Sequence, residues 1–211
     1  LHLSLRRQRQ MCIRDSYIEF YFDCSSPWTY LGFIGIQELT ERYGIELRLV
    51  PILVGGIFNS INPQVYEYRK NPMKIKDNYY SNDLLMWAKV RNIEINWPNI
   101  FPINSVKAMR GCLSFKDLNE QKTFTKKIFE SYWKEGIDIS DSDNLIQIVE
   151  ELGFNAKKFY SFINSNEAKE QLKLNTNTLI KRGGFGSPTF FYKNMMFFGN
   201  DRIPLLESLI N

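Results

Sequence analysis

Two hydroxyl residues, Ser26 and Thr29, stand three apart in Ser26-Pro27-Trp28-Thr29, between an apolar run at Tyr17–Phe22 and a segment patterned as a helix. A dithiol redox centre needs two sulfurs at this spacing, because electrons pass between them. Two hydroxyls cannot carry that chemistry. Ser26 suits an N-cap and Pro27 the first helical position. What remains is a helix N-terminus, whose free N–H groups and dipole favour negative charge. A hydroxyl there can donate a hydrogen bond to a thiolate that arrives from outside. Ser26 also reads as a plain capping serine, and the two roles are compatible.

The elements that must hold this motif follow from periodicity and turn chemistry. Residues 17–23 read as a buried, aromatic strand. A helix runs from about Trp28 to Tyr43 and ends at Gly44, a natural C-cap. Residues 45–52 alternate and read as a second strand, parallel to the first across the helix. Residues 53–63 read as a loop. Helical patterning then dominates, with helices expected at 72–91, 104–118, 121–135, 141–152, 155–164 and 166–182. Ser140 or Asp141 would cap the fourth of these. From Gly183 the period returns to strands, with a hairpin at 189–198 turning at Lys193-Asn194, and a closing helix at 201–211. The fold class expected is α/β: a thioredoxin-like β-α-β / β-β-α domain with a large all-helical insertion. Residues 17–57 and 183–211 form the thioredoxin-like domain and 58–182 the inserted helical domain. Residues 1–16 are basic and without period, and read as a non-native or disordered extension. A mitochondrial presequence is the alternative reading, since Arg6, Arg7 and Arg9 precede the first acid, Asp15.

Composition excludes several chemistries. The 211 residues carry 27 Lys and Arg against 23 Asp and Glu, a net charge of +4 spread along the chain rather than gathered in a stripe. That predicts no nucleic-acid partner. The one histidine, His2, lies in the extension, which leaves no Ser-His-Asp triad and no histidine-based metal site. Three cysteines, Cys12, Cys24 and Cys112, form no CxxC pair, which suits a reducing, cytoplasmic compartment. No apolar run is long enough to predict a membrane span. Sixteen Phe, eleven Tyr and four Trp supply a core and, in part, a pocket for a flat small-molecule substrate.

Four blocks in order carry a family resemblance. They are Phe22-Asp-Cys-Ser-Ser-Pro-Trp28, Gly55-Gly-Ile-Phe-Asn-Ser-Ile-Asn62, Phe101-Pro-Ile-Asn-Ser-Val-Lys-Ala-Met-Arg110, and Gly183-Gly-Phe-Gly-Ser-Pro-Thr189 followed by Phe198-Gly-Asn-Asp-Arg202. From Tyr17 to the C-terminus the chain resembles the kappa-class glutathione transferase family and, within it, the 2-hydroxychromene-2-carboxylate isomerases of aromatic degradation. The resemblance implies glutathione as cofactor and Ser26 as the catalytic residue that stabilises its thiolate. It implies a cis bond at Ser187-Pro188, exposing the Ser187 backbone to the cysteinyl part of glutathione. Asn200, Asp201 and Arg202 would hold the γ-glutamyl end, although a helix cap with a surface ion pair explains them equally on spacing. Asn62 and Lys76 would face the cofactor, with Lys76 on the glycine carboxylate and Lys74 as its neighbouring alternative. Trp28, Phe58, Asn104 and Arg110 are candidate substrate residues; Arg110 either holds an acidic substrate or anchors its helix. The activity implied is glutathione-dependent isomerisation of an aromatic or unsaturated acid. Conjugation of glutathione to electrophiles, or peptide binding without catalysis, are the alternatives. Family members are often dimers, so a homodimer is an expectation.

Overall fold

The computed structural model describes residues 17–210. The expectation for residues 1–16 lies outside those residues. Strand β1 (Tyr17–Phe22) is central. It pairs in parallel with β2 (Glu46–Pro51), Phe20 opposite Leu49, and antiparallel with β3 (Thr189–Tyr192), Phe20 opposite Phe190. Strand β4 (Met195–Phe198) closes the hairpin, so the sheet order is β2-β1-β3-β4. Most of β1 and all of β3 are buried, which is why both read as near-continuous apolar runs; β2 alternates exposed and buried along most of its length. Helix α1 (Pro27–Tyr43) makes the crossover between β1 and β2 and ends at Gly44, as expected.

Between β2 and β3 the chain is helical: α2 (Val54–Ile61), α3 (Gln64–Lys70), α4 (Lys74–Val90), α5 (Val106–Cys112), α6 (Leu118–Trp133), α7 (Ser142–Glu151), α8 (Ala156–Ile163) and α9 (Asn166–Lys181). After β4 come a single 3-10 turn, Asn200–Arg202, and α10 (Ile203–Ser208). The chain thus folds as an α/β, thioredoxin-like sheet interrupted by helices. The two parts share one core. Phe20 stacks on Phe33 and Phe190, and Phe33 and Tyr30 both pack on Phe129 of α6. No helix among the described residues is long and apolar enough to cross a membrane.

Three expectations need correction. Residues 53–63 are not a loop: α2 occupies 54–61, and α3 begins at Gln64. Gly55 and Gly56 lower local helix propensity, but Ile57 is fully buried against Ile52 and Leu179, and packing overrides propensity. The helix expected at 104–118 is only Val106–Cys112. The Asn104 carboxamide oxygen accepts the Val106 N–H at 3.1 Å, and Asp117 starts α6 early by capping the Asn119 and Glu120 N–H groups. The closing helix at 201–211 is a 3-10 turn followed by α10, with Pro204 in its first turn.

The place where the chain leaves the sheet for the helices is joined to the place where it returns. The Leu53 N–H donates to the Thr176 hydroxyl at 3.0 Å, and the Asn175 amide donates to the Pro51 carbonyl at 3.0 Å. Just after α9, Arg182 pairs with Glu19 at 2.8 Å and lies 3.6 Å over the Phe191 ring.

Candidate active site

Ser26 caps α1 with an extended backbone, and its oxygen accepts the Thr29 N–H at a long 3.4 Å. Among the described residues its own proton has no acceptor. The loop that carries it is fixed from both sides. The Cys24 N–H points at the Met109 sulfur, 3.2 Å away, and Trp133 Nε1 donates to the Cys24 carbonyl at 2.8 Å. Trp133 is fully buried, so its place is this anchor and the core.

The second hydroxyl of the motif is spent differently. Thr29 is fully buried and bonded to the Ser187 hydroxyl at 2.8 Å. The same Ser187 oxygen accepts the Asp23 N–H at 3.1 Å. Ser187 thus ties the end of β1 to α1, and the Ser187-Pro188 bond is cis. Pro188 reaches α1 because Gly32 has no side chain there: a Cβ at Gly32 would lie 3.0 Å from Pro188.

A cavity of about 470 Å³ opens beside this junction, within the usual size range for small ligands. Trp28, Ser187, Pro188, Asn200 and Asp201 line it. So do Tyr79, Tyr80, Asp83 and Trp87, from one face of α4. Lys76 is exposed and lies on that same stripe, at i−4 and i−7 from Tyr80 and Asp83; Lys74 is turned about 200° away around the helix. Asn200 is buried, and its oxygen takes the Arg91 guanidinium at 3.4 Å, while its Nδ2 has no partner among the described residues. Arg91 crosses α1 at Gly35, where a Cβ would sit 2.4 Å from the guanidinium, and it also pairs with Glu38. Asp201 and Arg202 are exposed and 3.6 Å apart, a contact too weak to occupy Asp201.

A second cavity of about 380 Å³ lies on the other flank of the motif, lined by Asp23, Ser25, Phe58, Tyr66, Arg69 and Asn104 among others. Asp23 is buried. Its oxygens accept the Ser25 N–H at 3.0 Å and the Val54 N–H at 2.9 Å. Burial pushes its carboxyl pKa up, while the Ser25, Val54 and Ser105 donors pull the other way.

The remaining candidates fall elsewhere. Asn62 ends α2 and lines neither cavity. Arg110 donates to the Ile163 carbonyl at the end of α8 and lines neither cavity, which fits its helix-anchoring alternative. Cys24 is buried, and burial, with Asp23 nearby, holds its thiol well above the ordinary range. Arg91, Asp23 and Arg69 were not singled out from the sequence. The partners of Arg91 and Arg69 are tens of residues away, and Asp23, though it accepts the Ser25 N–H locally, reads alone as a strand-end polar residue.

A sheet of this topology, with a helix N-terminus facing a cis-proline and no sulfur at either motif position, defines a thioredoxin-like domain adapted away from dithiol exchange. Residues 17–211 match the DsbA-like thioredoxin domain. A 2-hydroxychromene-2-carboxylate isomerase from Pseudomonas putida is 31% identical over 90% of this chain and 92% of its own length. Glutathione S-transferase kappa 1 from Rattus norvegicus is 25% identical over 92% and 90%. A solved 2-hydroxychromene-2-carboxylate isomerase superposes with a TM-score of 0.80 at 28% identity, covering 92% of this chain and 94% of that one. The chain belongs to the DsbA-like thioredoxin family, in its branch of 2-hydroxychromene-2-carboxylate isomerases and kappa-class glutathione transferases.

Proposed function

We propose that the protein is a glutathione-dependent isomerase of small aromatic or unsaturated acids. The observation that carries this reading is the Ser26 hydroxyl, placed at the N-terminus of α1 with an unused proton and no sulfur three residues on. Bound glutathione would supply a thiolate that adds reversibly to a conjugated double bond and leaves again. The donor set beside Ser26 fits such a tripeptide. The Ser187 backbone lies at the cavity wall, Asp201 offers a carboxylate for an ammonium group, and Asn200 keeps an amide donor without a partner. Lys76, on the cavity stripe of α4, offers a cation for a carboxylate at the far end.

In this reading Ser26 would donate a hydrogen bond to the sulfur of bound glutathione in its thiolate form, whose proton would go to solvent, and so favour the thiolate both before addition and on release. The α1 dipole and the free N–H groups of its first turn add to the same stabilisation. Arg91 acts on Asn200 and not on ligand. Conjugation to an electrophile is the second reading, favoured by the 25% identity to a kappa-class transferase; it uses the same thiolate without expelling it.

The test is calorimetric titration of reduced glutathione into the wild type and Ser26→Ala, with thiolate absorbance followed against pH. Binding by both, with a lowered thiol pKa only in the wild type, is expected. No binding at millimolar glutathione would sink the reading. Incubation with aromatic acids then separates the two reactions: unchanged glutathione marks isomerisation, and a stable thioether marks conjugation.

A further inference from the structure

We infer that the second cavity is the binding site for the acid, and that Arg69 receives its carboxylate. The inference deepens the function proposed above and rests on it for the acid's role as reactant. The binding site itself rests on the cavity.

Three rings, Phe58, Tyr66 and Phe101, line the space, with Phe58 and Tyr66 edge-on at 6.2 Å. The Arg69 guanidinium stands 5.9 Å from the centres of both Phe58 and Phe101, so it sits between two aromatic walls. It has no carboxylate partner among the described residues. By contrast Arg42, Arg48, Arg91 and Arg182 each pair with a glutamate, and Lys70, the next residue, pairs with Glu67. An unpaired planar cation among aromatic rings is the arrangement that binds a flat carboxylate, through two parallel N–H···O bonds with the ring stacked between side chains.

The rest of the lining sets the orientation. Asp23 already accepts backbone N–H groups and would repel a second carboxylate, so the acid group belongs at Arg69. The Asn104 amide N–H groups have no acceptor among the described residues and can donate to a ring hydroxyl or ketone at the other end. Ser25 lines this cavity and is the sequence neighbour of Ser26, which itself lines neither cavity. The chemical class is therefore a planar aromatic or conjugated monocarboxylate with a polar oxygen remote from the acid.

The experiment uses the full chain, with trans-cinnamate as probe and its neutral amide, cinnamamide, as control, titrated into the wild type, Arg69→Ala and Arg69→Lys. Arg69 is exposed, so these variants should keep the fold. The wild type should prefer the acid over the amide. Arg69→Ala should weaken cinnamate by about tenfold or more, the loss of one charged hydrogen-bonded pair, and leave cinnamamide unchanged. Arg69→Lys should fall between. Reduced glutathione is titrated alongside and should bind all three proteins equally. No cinnamate binding, or equal affinity in wild type and Arg69→Ala, would overturn the acid site, and normal glutathione binding in the same samples would leave the proposed function standing. Acid-selective binding that depends on Arg69, with no glutathione bound, would keep the site and remove the cofactor.

Discussion

The two cavities that flank Ser26 are built from different material. The larger is walled on one side by the first turn of α1, the cis Ser187-Pro188 corner and the turn at Asn200, and on the other by four side chains of α4. The smaller is walled by α2, α3 and the loop before α5, with Asp23 and Ser25 of the β1–α1 loop on its near side. The first holds its groups by backbone and buried hydrogen bonds, as Thr29 and Ser187 do at 2.8 Å. The second holds Asp23 by the Ser25 and Val54 N–H groups, and sets Arg69 near two aromatic rings. Under the proposed function, the first would hold a sulfur in a fixed geometry and the second would give an acid an adaptable wall.

The sharpest way to break this division is Ser26→Ala. Isomerase turnover should fall about 100- to 1000-fold, as for loss of one donor to a developing anion, with acid binding in the smaller cavity intact. The stability cost should be near the low end of about 0.5–2 kcal/mol for a lost cap, because the capping bond is already long. Stopped-flow rates and denaturant unfolding measure both. If cinnamate binding falls as steeply as turnover, the two cavities are one site.

Next in size is Arg91→Ala. It frees Asn200 and should weaken glutathione by about tenfold, the scale of one lost charged hydrogen bond, without changing the acidity of the bound thiol. Calorimetry with the thiolate absorbance reads the two effects separately. A shifted thiol pKa would mean that Arg91 acts on the sulfur itself.

Asp23→Asn addresses the joint between the cavities. An amide nitrogen must then face one of the N–H groups of Ser25 or Val54, at a cost of about 1–3 kcal/mol. The folded carboxyl has a raised pKa, so the folded state holds the proton more tightly than the unfolded chain. The stability this group contributes is therefore complete below the unfolded value of about 3.9 and is lost as pH rises through the folded value. The wild type's advantage over Asp23→Asn should narrow as pH rises through that window in urea titrations. A widening gap would show that the carboxylate, and not the acid, is the form the fold prefers.

The smallest effect expected is none. Cys24 and Cys112 are buried, and burial pushes the Cys112 thiol to about 12. Iodoacetamide should leave both unmodified in the native protein and label both after unfolding, as read by peptide mass spectrometry.

How much of this was readable in advance follows the same division. Beside the larger cavity only the capping Ser26 and the proline after it carry a local signal; the cis Ser187-Pro188 bond and the Asn200-Asp201-Arg202 turn were legible through the family resemblance, since Ser187 works on Thr29 and Asp23 far away in the chain. The smaller cavity depends on α2 and α3, where Gly55, Gly56 and Pro63 spoke for a loop and only the burial of Ile57 against distant Leu179 makes a helix. Arg91 needed Gly35 and Asn200, and Arg69 needed Phe101, contacts that no spacing rule records. Spacing left Arg110 open between an acidic substrate and a helix anchor, because its contact at the end of α8 lies 53 residues away.

The stitches at Leu53–Thr176 and Pro51–Asn175 give the helical interruption a narrow neck. Its two ends leave the sheet side by side, already fastened to each other. Closing a longer loop across a fixed neck costs only about 0.6 kcal/mol for each doubling of its length. Residues can be gained, lost or exchanged beyond the neck while β1, β3 and the Ser26 corner stay where they are. The molecule is like a tool with a permanent handle and a replaceable bit: under the proposed function, the wall for the acid could change while the corner that would hold the sulfur stays put.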